Sequence, residues 1–483
     1  MQNAAYRSPC FASRPAAGLC ALLAVVLAGV LSATAQTASS SASNPFYGSV
    51  NAPAPTAQAV RLSLDDAIRM GLEHNLGLVL QQQSQRVTEA QTLTAFNALL
   101  PDITAEAQTS VQQIDLLAIG FKPSLVTAFR PNVHISPIIK VDVTSAQLNL
   151  SQQLFNLAAY DAYRSAKQSV AGARLDTLNA RGSVVIGVGT QYLKTLADAA
   201  QMDNTKALLQ ADQLLLRQVA DQHEAGVATN LDELRARVQY QSQQQLLISA
   251  ENAFEKDKIA LTRQIGLDPA QKLELTDPAP YAEIATLPLD QVKQLAYSSR
   301  KDYLGLQSQV RAAELQRKAV RYERLPSLSF NGNYGVTGET HGLYHGTFLA
   351  GGSLSFPIFK EARLRGDREV ADAQLGNLTA QIADLRVAIE AQLRDSLLDV
   401  QAANELVKVA RSNVDLATET VQQATDRFAA GVDDNLPLVQ AQATLAAAQS
   451  QLVNSLYQYN QAKLILARNS GVVETQYKVY LGR

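Results

Sequence analysis

From Leu157 to His223, and again from Ala362 to Phe428, the chain runs 67 residues without a proline. As continuous helix at about 1.5 Å per residue, each run is roughly 100 Å long. A helix of that length cannot wrap a globular core, so the fold must be elongated. Lone glycines such as Gly182 and Gly187 weaken the first run without ending it.

The two runs belong to an internal duplication. Leu62-Ser63-Leu64-Asp65 returns as Leu287-Pro288-Leu289-Asp290 and Leu100-Pro101 as Leu325-Pro326, both 225 residues later. Ala225-Gly226-Val227 returns as Ala430-Gly431-Val432 at an offset of 205, so the first half holds an insertion of about 20 residues within 114–139. Each half reads as short helix, helix, strand, loop, strand, very long helix, turn and long helix. The expected organisation is a first repeat over 61–286 with its hairpin turning at 225–229, a second over 287–471 turning at 430–434, and a C-terminal tail over 472–483. Before them, residues 36–60, rich in Ser, Ala and Pro, read as a flexible leader.

The first 35 residues have the form of a secretory signal: Arg7 and Arg14, an apolar run from Leu19 to Leu31, then Ala33-Thr34-Ala35. Cys10 and Cys20 both lie in it, so neither a disulfide framework nor a thiolate metal site is expected in the processed chain. Removing two arginines and no acid leaves 40 basic and 44 acidic side chains, net −4, which makes nucleic acid an unfavoured partner.

Apolar residues along the long helices step by four and three, the spacing of a coiled-coil seam: Ala410, Val414, Ala417, Val421, Ala424 and Phe428 outward, then Leu436, Val439, Ala443, Ala446, Ser450, Val453, Tyr457, Asn460, Leu464 and Ala467 on the return. A plain antiparallel stalk would show the same spacing.

Four segments near 102–112, 140–151, 327–336 and 347–356 alternate instead with period two. In the third, Leu328, Phe330, Gly332, Tyr334 and Val336 oppose Ser327, Ser329, Asn331, Asn333 and Gly335. Strands of about ten residues with one apolar and one polar face suit a membrane barrel with a wet lumen. A one-sided sheet over a soluble core would alternate similarly. As a barrel, four strands cannot close, since about eight is the practical minimum, so copies must share it as a dimer of 8 or a trimer of 12 strands. The second segment slips phase between Val143 and Ala146, the mark expected of a bulge.

On these residues the chain resembles the TolC-like outer-membrane efflux family. The resemblance rests on Leu62-Ser63-Leu64-Asp65-Asp66-Ala67-Ile68 with Asn75, on the Leu-Pro steps at Pro101 and Pro326, on Ser355-Phe356-Pro357-Ile358-Phe359, and on two hairpins turning at Ala-Gly-Val. It implies a mainly α fold with a transmembrane β-barrel, built as a homotrimer with 12 shared strands in outer-membrane lipid above a long α-helical barrel in the periplasm. It also implies a passive conduit for efflux or type I secretion, docked to a periplasmic membrane-fusion adaptor and an inner-membrane pump of RND or ABC type. The competing class is a structural or adhesive coiled-coil surface protein, which needs no duplicated turn-back.

Function is expected at the hairpin tips. Gly226 and Gly431 suit the left-handed residue that ends a helix, and Thr229 or Asn230, and Asp434 or Asn435, can cap the returning helices. The resemblance implies adaptor docking or gating by Gly226, Val227, Asp232, Arg427, Gly431, Val432, Asp433 and Asp434. The family's Arg-aromatic-x-x-Gly turn is matched by Arg427 to Gly431, whereas Gln222-His223-Glu224-Ala225-Gly226 lacks the arginine. The carboxylates that constrict some members six and nine residues after the second glycine are replaced by Pro437 and Gln440, while Asp232 holds the first of those positions in the other repeat. Asp433 and Asp434 are the expected acidic rim, or else helix-start carboxylates favoured by the dipole.

No enzyme motif is present: Gly351-Gly352-Ser353-Leu354-Ser355 fails the nucleophile elbow at its last position. His341 and His345 are four apart in an interstrand loop instead of a helix, so metal is not expected there, and no cofactor is implied.

Overall fold

The computed structural model describes residues 43–50, 52–121, 136–278, 281–284 and 288–482. The expected signal segment with Cys10 and Cys20, and Pro123, Phe129 and Pro131 of the long interstrand loop, lie outside the described residues. In chain order the elements are β1 (Val60–Leu62), α1 (Leu64–His74), α2 (Leu76–Asn97), β2 (Asp102–Asp115), β3 (Ile138–Phe155), α3 (Leu157–Glu224), α4 (Asn230–Ile265) and β4 (Leu273–Leu275). The second repeat follows with α5 (Leu289–Ser299), α6 (Lys301–Tyr322), β5 (Ser327–Gly338), β6 (Tyr344–Ser355), α7 (Glu361–Ala429), α8 (Leu436–Asn469) and α9 (Val473–Leu481).

Local chemistry sets the first boundaries. The Ser63 hydroxyl accepts the Asp66 amide and starts α1. Asn75 ends it and starts α2, its carboxamide oxygen accepting the Gly77 amide at 3.0 Å while Nδ2 donates to the Phe46 carbonyl at 2.8 Å. Residues 43–50 are therefore docked, which corrects the expectation of a leader flexible throughout 36–60. Phe46 lies so close to Gly77 that a Cβ there would come within 2.6 Å of the ring. Averaged over 25 residues of Ser, Ala and Pro, composition hides this single aromatic anchor.

The four long strands form one antiparallel sheet in the order β2-β3-β5-β6. Its register lines the faces up across all four: Ile103 pairs with Leu150, Leu150 with Gly332 and Gly332 with Ala350, while Ala105 pairs with Leu148, Leu148 with Tyr334 and Tyr334 with Phe348. The opposite face joins Ser151 to Asn331 and Ser329 to Ser353 through side-chain hydrogen bonds of 3.1 and 2.9 Å. β2 and β3 pair without a break from Asp102↔Ser151 to Asp115↔Ile138, so the bulge expected at Val143 to Ala146 is absent. The irregularity lies instead at the other end, between Gln153 and Phe155 against β5. The sequence changes phase between Val143 and Ala146 because the unbroken strand places Val141 and Val143 on the same face as Ser145 and Gln147, opposite Ala146, Leu148 and Leu150.

α3 and α7, 68 and 69 residues long, run away from this sheet and are answered by α4 and α8. Three apolar clusters hold them. One joins β1, α1 and α3 to the ends of α4 and α8, with Val184, Val185 and Tyr192 at its centre. A second joins α5 and α6 to α7 and α8 through Ile389, Leu393, Val407 and Tyr459. The third lies at the hairpin tips. The outward seam holds, with Ala410 and Ala417 buried and Val414, Val421, Ala424 and Phe428 half-buried. The return holds along most of its length, with Asn460, Leu464 and Ala467 buried and Val439, Ala446, Ser450, Val453 and Tyr457 half-buried, but Leu436 and Ala443 are exposed and a second, adjoining stripe through Leu452, Tyr459, Ala462 and Leu466 packs with α7. A wall helix has a neighbour on each side and so carries two adjoining stripes; Ala443, Ala446 and Ser450 face α3 across a cleft of about 300 Å³. Two further features complete the repeats. β1 pairs in parallel with β4, and the expected tail forms α9, pinned by Tyr477 and Lys478 to Asp65 and by Arg181 to Glu474.

Candidate functional site at the paired hairpin tips

Both long helices end the same way. Gly226 and Gly431 are left-handed at φ 73° and 67°. Val227 and Val432 donate back to the carbonyls of Gln222 and Arg427, and the two glycine amides to those of His223 and Phe428. This is the Schellman closure, which satisfies two carbonyls the helix would otherwise leave bare. It leaves Val227 and Val432 at the apex, 79% and 64% exposed.

The repeats then diverge. In the first, Thr229 caps α4 in a full capping box: its hydroxyl accepts the Asp232 amide, and the Asp232 carboxylate accepts the Thr229 amide at 3.1 Å. Asp232 is thus taken up in holding a helix start and in a 3.4 Å contact with Arg235. In the second repeat Pro437 occupies the matching position and no such box can form. Asn435 is the cap residue but makes no side-chain cap bond; the Asp434 carboxylate accepts the Leu436 amide at 3.1 Å instead.

What Asn435 does is cross to the other hairpin. Fully buried, it donates Nδ2 to the Asp232 carbonyl at 2.7 Å. Beside it, Arg235 reaches the Asp434 carboxylate at 3.2 Å. Beneath both, Leu215, Val219, Ala236 and Leu438 pack with Phe428, so the arginine-aromatic turn supplies its aromatic to a core shared by both hairpins. Arg427 grips Asp433 within its own turn at 2.6 and 3.3 Å, and that hydrogen bond holds the Asp433 carboxyl below its ordinary value.

The structure therefore gathers Asp232, Arg427, Gly431, Asp433 and Asp434 at one end with Gly226, Val227 and Val432, but pairs each of the three acids with an arginine. Arg235 was missed by sequence reasoning, and Asn435 was read only as a candidate cap, not as the residue that ties the hairpins together. A weak signal existed: an asparagine directly before Leu-Pro marks a helix start. The depth of that asparagine did not show. His341 lies in the turn between β5 and β6 while His345 is in β6, and among the described residues no three His, Cys, Asp or Glu side chains are grouped to hold a metal. No described helix is long and apolar enough to cross a membrane.

Comparison with known proteins adds an independent line. The family described as Outer membrane efflux protein matches residues 67–267 and 292–472, one block per repeat. Pyoverdine export outer membrane protein OpmQ of Pseudomonas aeruginosa is 25% identical over 399 residues, 81% of each chain. Alkaline protease secretion protein AprF of the same species is 25% identical over 345 residues, covering 68% of this chain and 69% of its own. Among solved structures, the Campylobacter jejuni CmeC outer membrane channel superposes with a TM-score of 0.74 at 17% identity, over 85% of this chain and 86% of its own. The outer membrane protein VceC of Vibrio cholerae gives 0.71 at 17% identity, over 84% and 96%.

Proposed function

The chain belongs to the outer membrane efflux protein family, and from that premise we propose that three copies assemble into a conduit whose periplasmic mouth is gated and docked at the paired tips. It is an outer-membrane channel component of an efflux or secretion system, in a family made up of channel proteins. The observation that carries the shared-barrel reading is the four-stranded sheet with both outer edges, on β2 and β6, unpaired among the described residues and one face apolar, and the family resemblance selects three copies over two. Each copy supplies four of 12 strands, and the polar face becomes a wet lumen.

Below the barrel the long helices form the wall of a tunnel, and the conduit performs no chemistry of its own. A membrane-fusion adaptor engages the apolar apices at Val227 and Val432, and an inner-membrane pump of RND or ABC type supplies the energy. Relatives named for pyoverdine export and for alkaline protease secretion align over most of this chain, so cargo choice is assigned to those partners. Arg235–Asp434 and Asn435–Asp232 act as the latch that keeps the second hairpin against the first.

In planar bilayers the purified protein gives discrete conductance steps. Replacing Arg235 and Asn435 together by alanine raises the fraction of time spent open; unchanged gating would remove the latch from the account. Absence of any conductance would remove the conduit itself.

A further inference from the structure

Ile358 and Phe359 are the two most exposed large apolar side chains among the described residues, at 93% and 95%. They follow the last strand by only a few positions, after the half-exposed Phe356 and Pro357. Ser355 pairs with Ser327, so this segment lies at the same end of the sheet as the C-terminus of α6. That end faces the periplasm if the sheet is a barrel wall, and the inference rests on that reading.

The charges around the two residues are mostly basic. Arg324 and Arg365 share Glu361, and Arg363 is paired with Glu323. Lys318, Arg321 and Lys360 are exposed and have no ion-pair partner among the described residues. Two bare apolar side chains continuous with a lipid-facing strand, next to unneutralised cations, match a bilayer's periplasmic interface. There acyl chains meet headgroups, and each nearby cation adds attraction to an anionic surface. A sister copy would cover the apolar pair equally well but offers no reason for the free cations.

We propose that Ile358 and Phe359 form a foot in the periplasmic leaflet of the outer membrane, and that Lys318, Arg321 and Lys360 recruit anionic phospholipid headgroups around it. The occupant is a phospholipid with a negatively charged head, such as phosphatidylglycerol.

The chain has no tryptophan, so Phe359→Trp introduces a single tryptophan whose emission can be excited apart from the tyrosines. Reconstituted in vesicles whose acyl chains carry bromine, F359W is quenched, severalfold more by brominated phosphatidylglycerol than by brominated phosphatidylcholine. Adding K318Q, R321Q and K360Q erases that difference, and inorganic phosphate does not compete. Equal quenching by the two lipids would overturn the headgroup assignment. Protection from both bromine and aqueous acrylamide would mean a sister copy covers the site, and acrylamide quenching alone would put it in water; either overturns the proposal. Phe348→Trp on the apolar face of β6 is the control. If F348W is quenched by bromine and F359W is not, the foot fails and the barrel stands. If neither is quenched, the barrel reading fails first.

Discussion

Asn435 has no exposed surface, one carboxamide hydrogen given to Asp232 across the hairpins, and an Oδ1 without a hydrogen-bond partner in the described structure. Removing it would delete a buried hydrogen bond between the hairpins, a loss of about 0.5–1.5 kcal/mol, because the Asp232 carbonyl keeps its place within α4. Asn435→Ala is therefore expected to speed amide exchange at the starts of both α4 and α8, whereas a change confined to α8 would show that the cross-link carries no energy. At this scale the sequence was readable where a residue's constraint is local. Gly226 and Gly431 announce their left-handed backbone by standing after long helices. Asp232 did not announce its role, because a capping-box acid and a rim acid stand at the same spacing from the turn. Only the neighbouring Thr229 hydroxyl separates them.

Among elements, the strands were the most legible, since period two survives any partner. Their ends moved by a few residues, with β3 reaching Phe155 where alternation had pointed to 151. The returning helix was less legible: periodicity gives a stripe but not the neighbour it meets, and α8 has one on each side. The long helices also bury acids whose protonation couples to pH. Asp212 on α3 is 2% exposed, and burial pushes its carboxyl up to about 6, opposed by a hydrogen bond from Gln239. Burial likewise raises Asp198, where α3 meets Asp257 of α4. A carboxyl raised in the folded state contributes stability below its ordinary value near 3.8, and that contribution fades as pH climbs through the folded value. The helical section should accordingly melt at lower temperature at pH 8 than at pH 5. Asp212→Asn should flatten part of that slope, and an unaltered slope would place Asp212 in contact with water.

For the whole molecule, duplication was the strongest signal, because it forces two hairpins into one chain and makes a near-symmetric tube cheap to build from few copies. The interface with those copies was legible only as arithmetic: four strands are too few. The docking of residues 43–50 and the β1–β4 pairing were invisible, since both depend on short segments meeting across more than two hundred residues or around one aromatic ring.

The central claim is that the outer edges of β2 and β6 meet in different copies. Cysteines introduced one at a time from Thr104 to Gln108 on β2, each together with Ala350→Cys on β6, test it by disulfide formation in intact outer membranes, since paired residues on adjacent strands lie within bonding reach. The account predicts covalent species up to a trimer, and none larger, at some position of the scan. A disulfide that closes within single chains and leaves only monomers would contradict it.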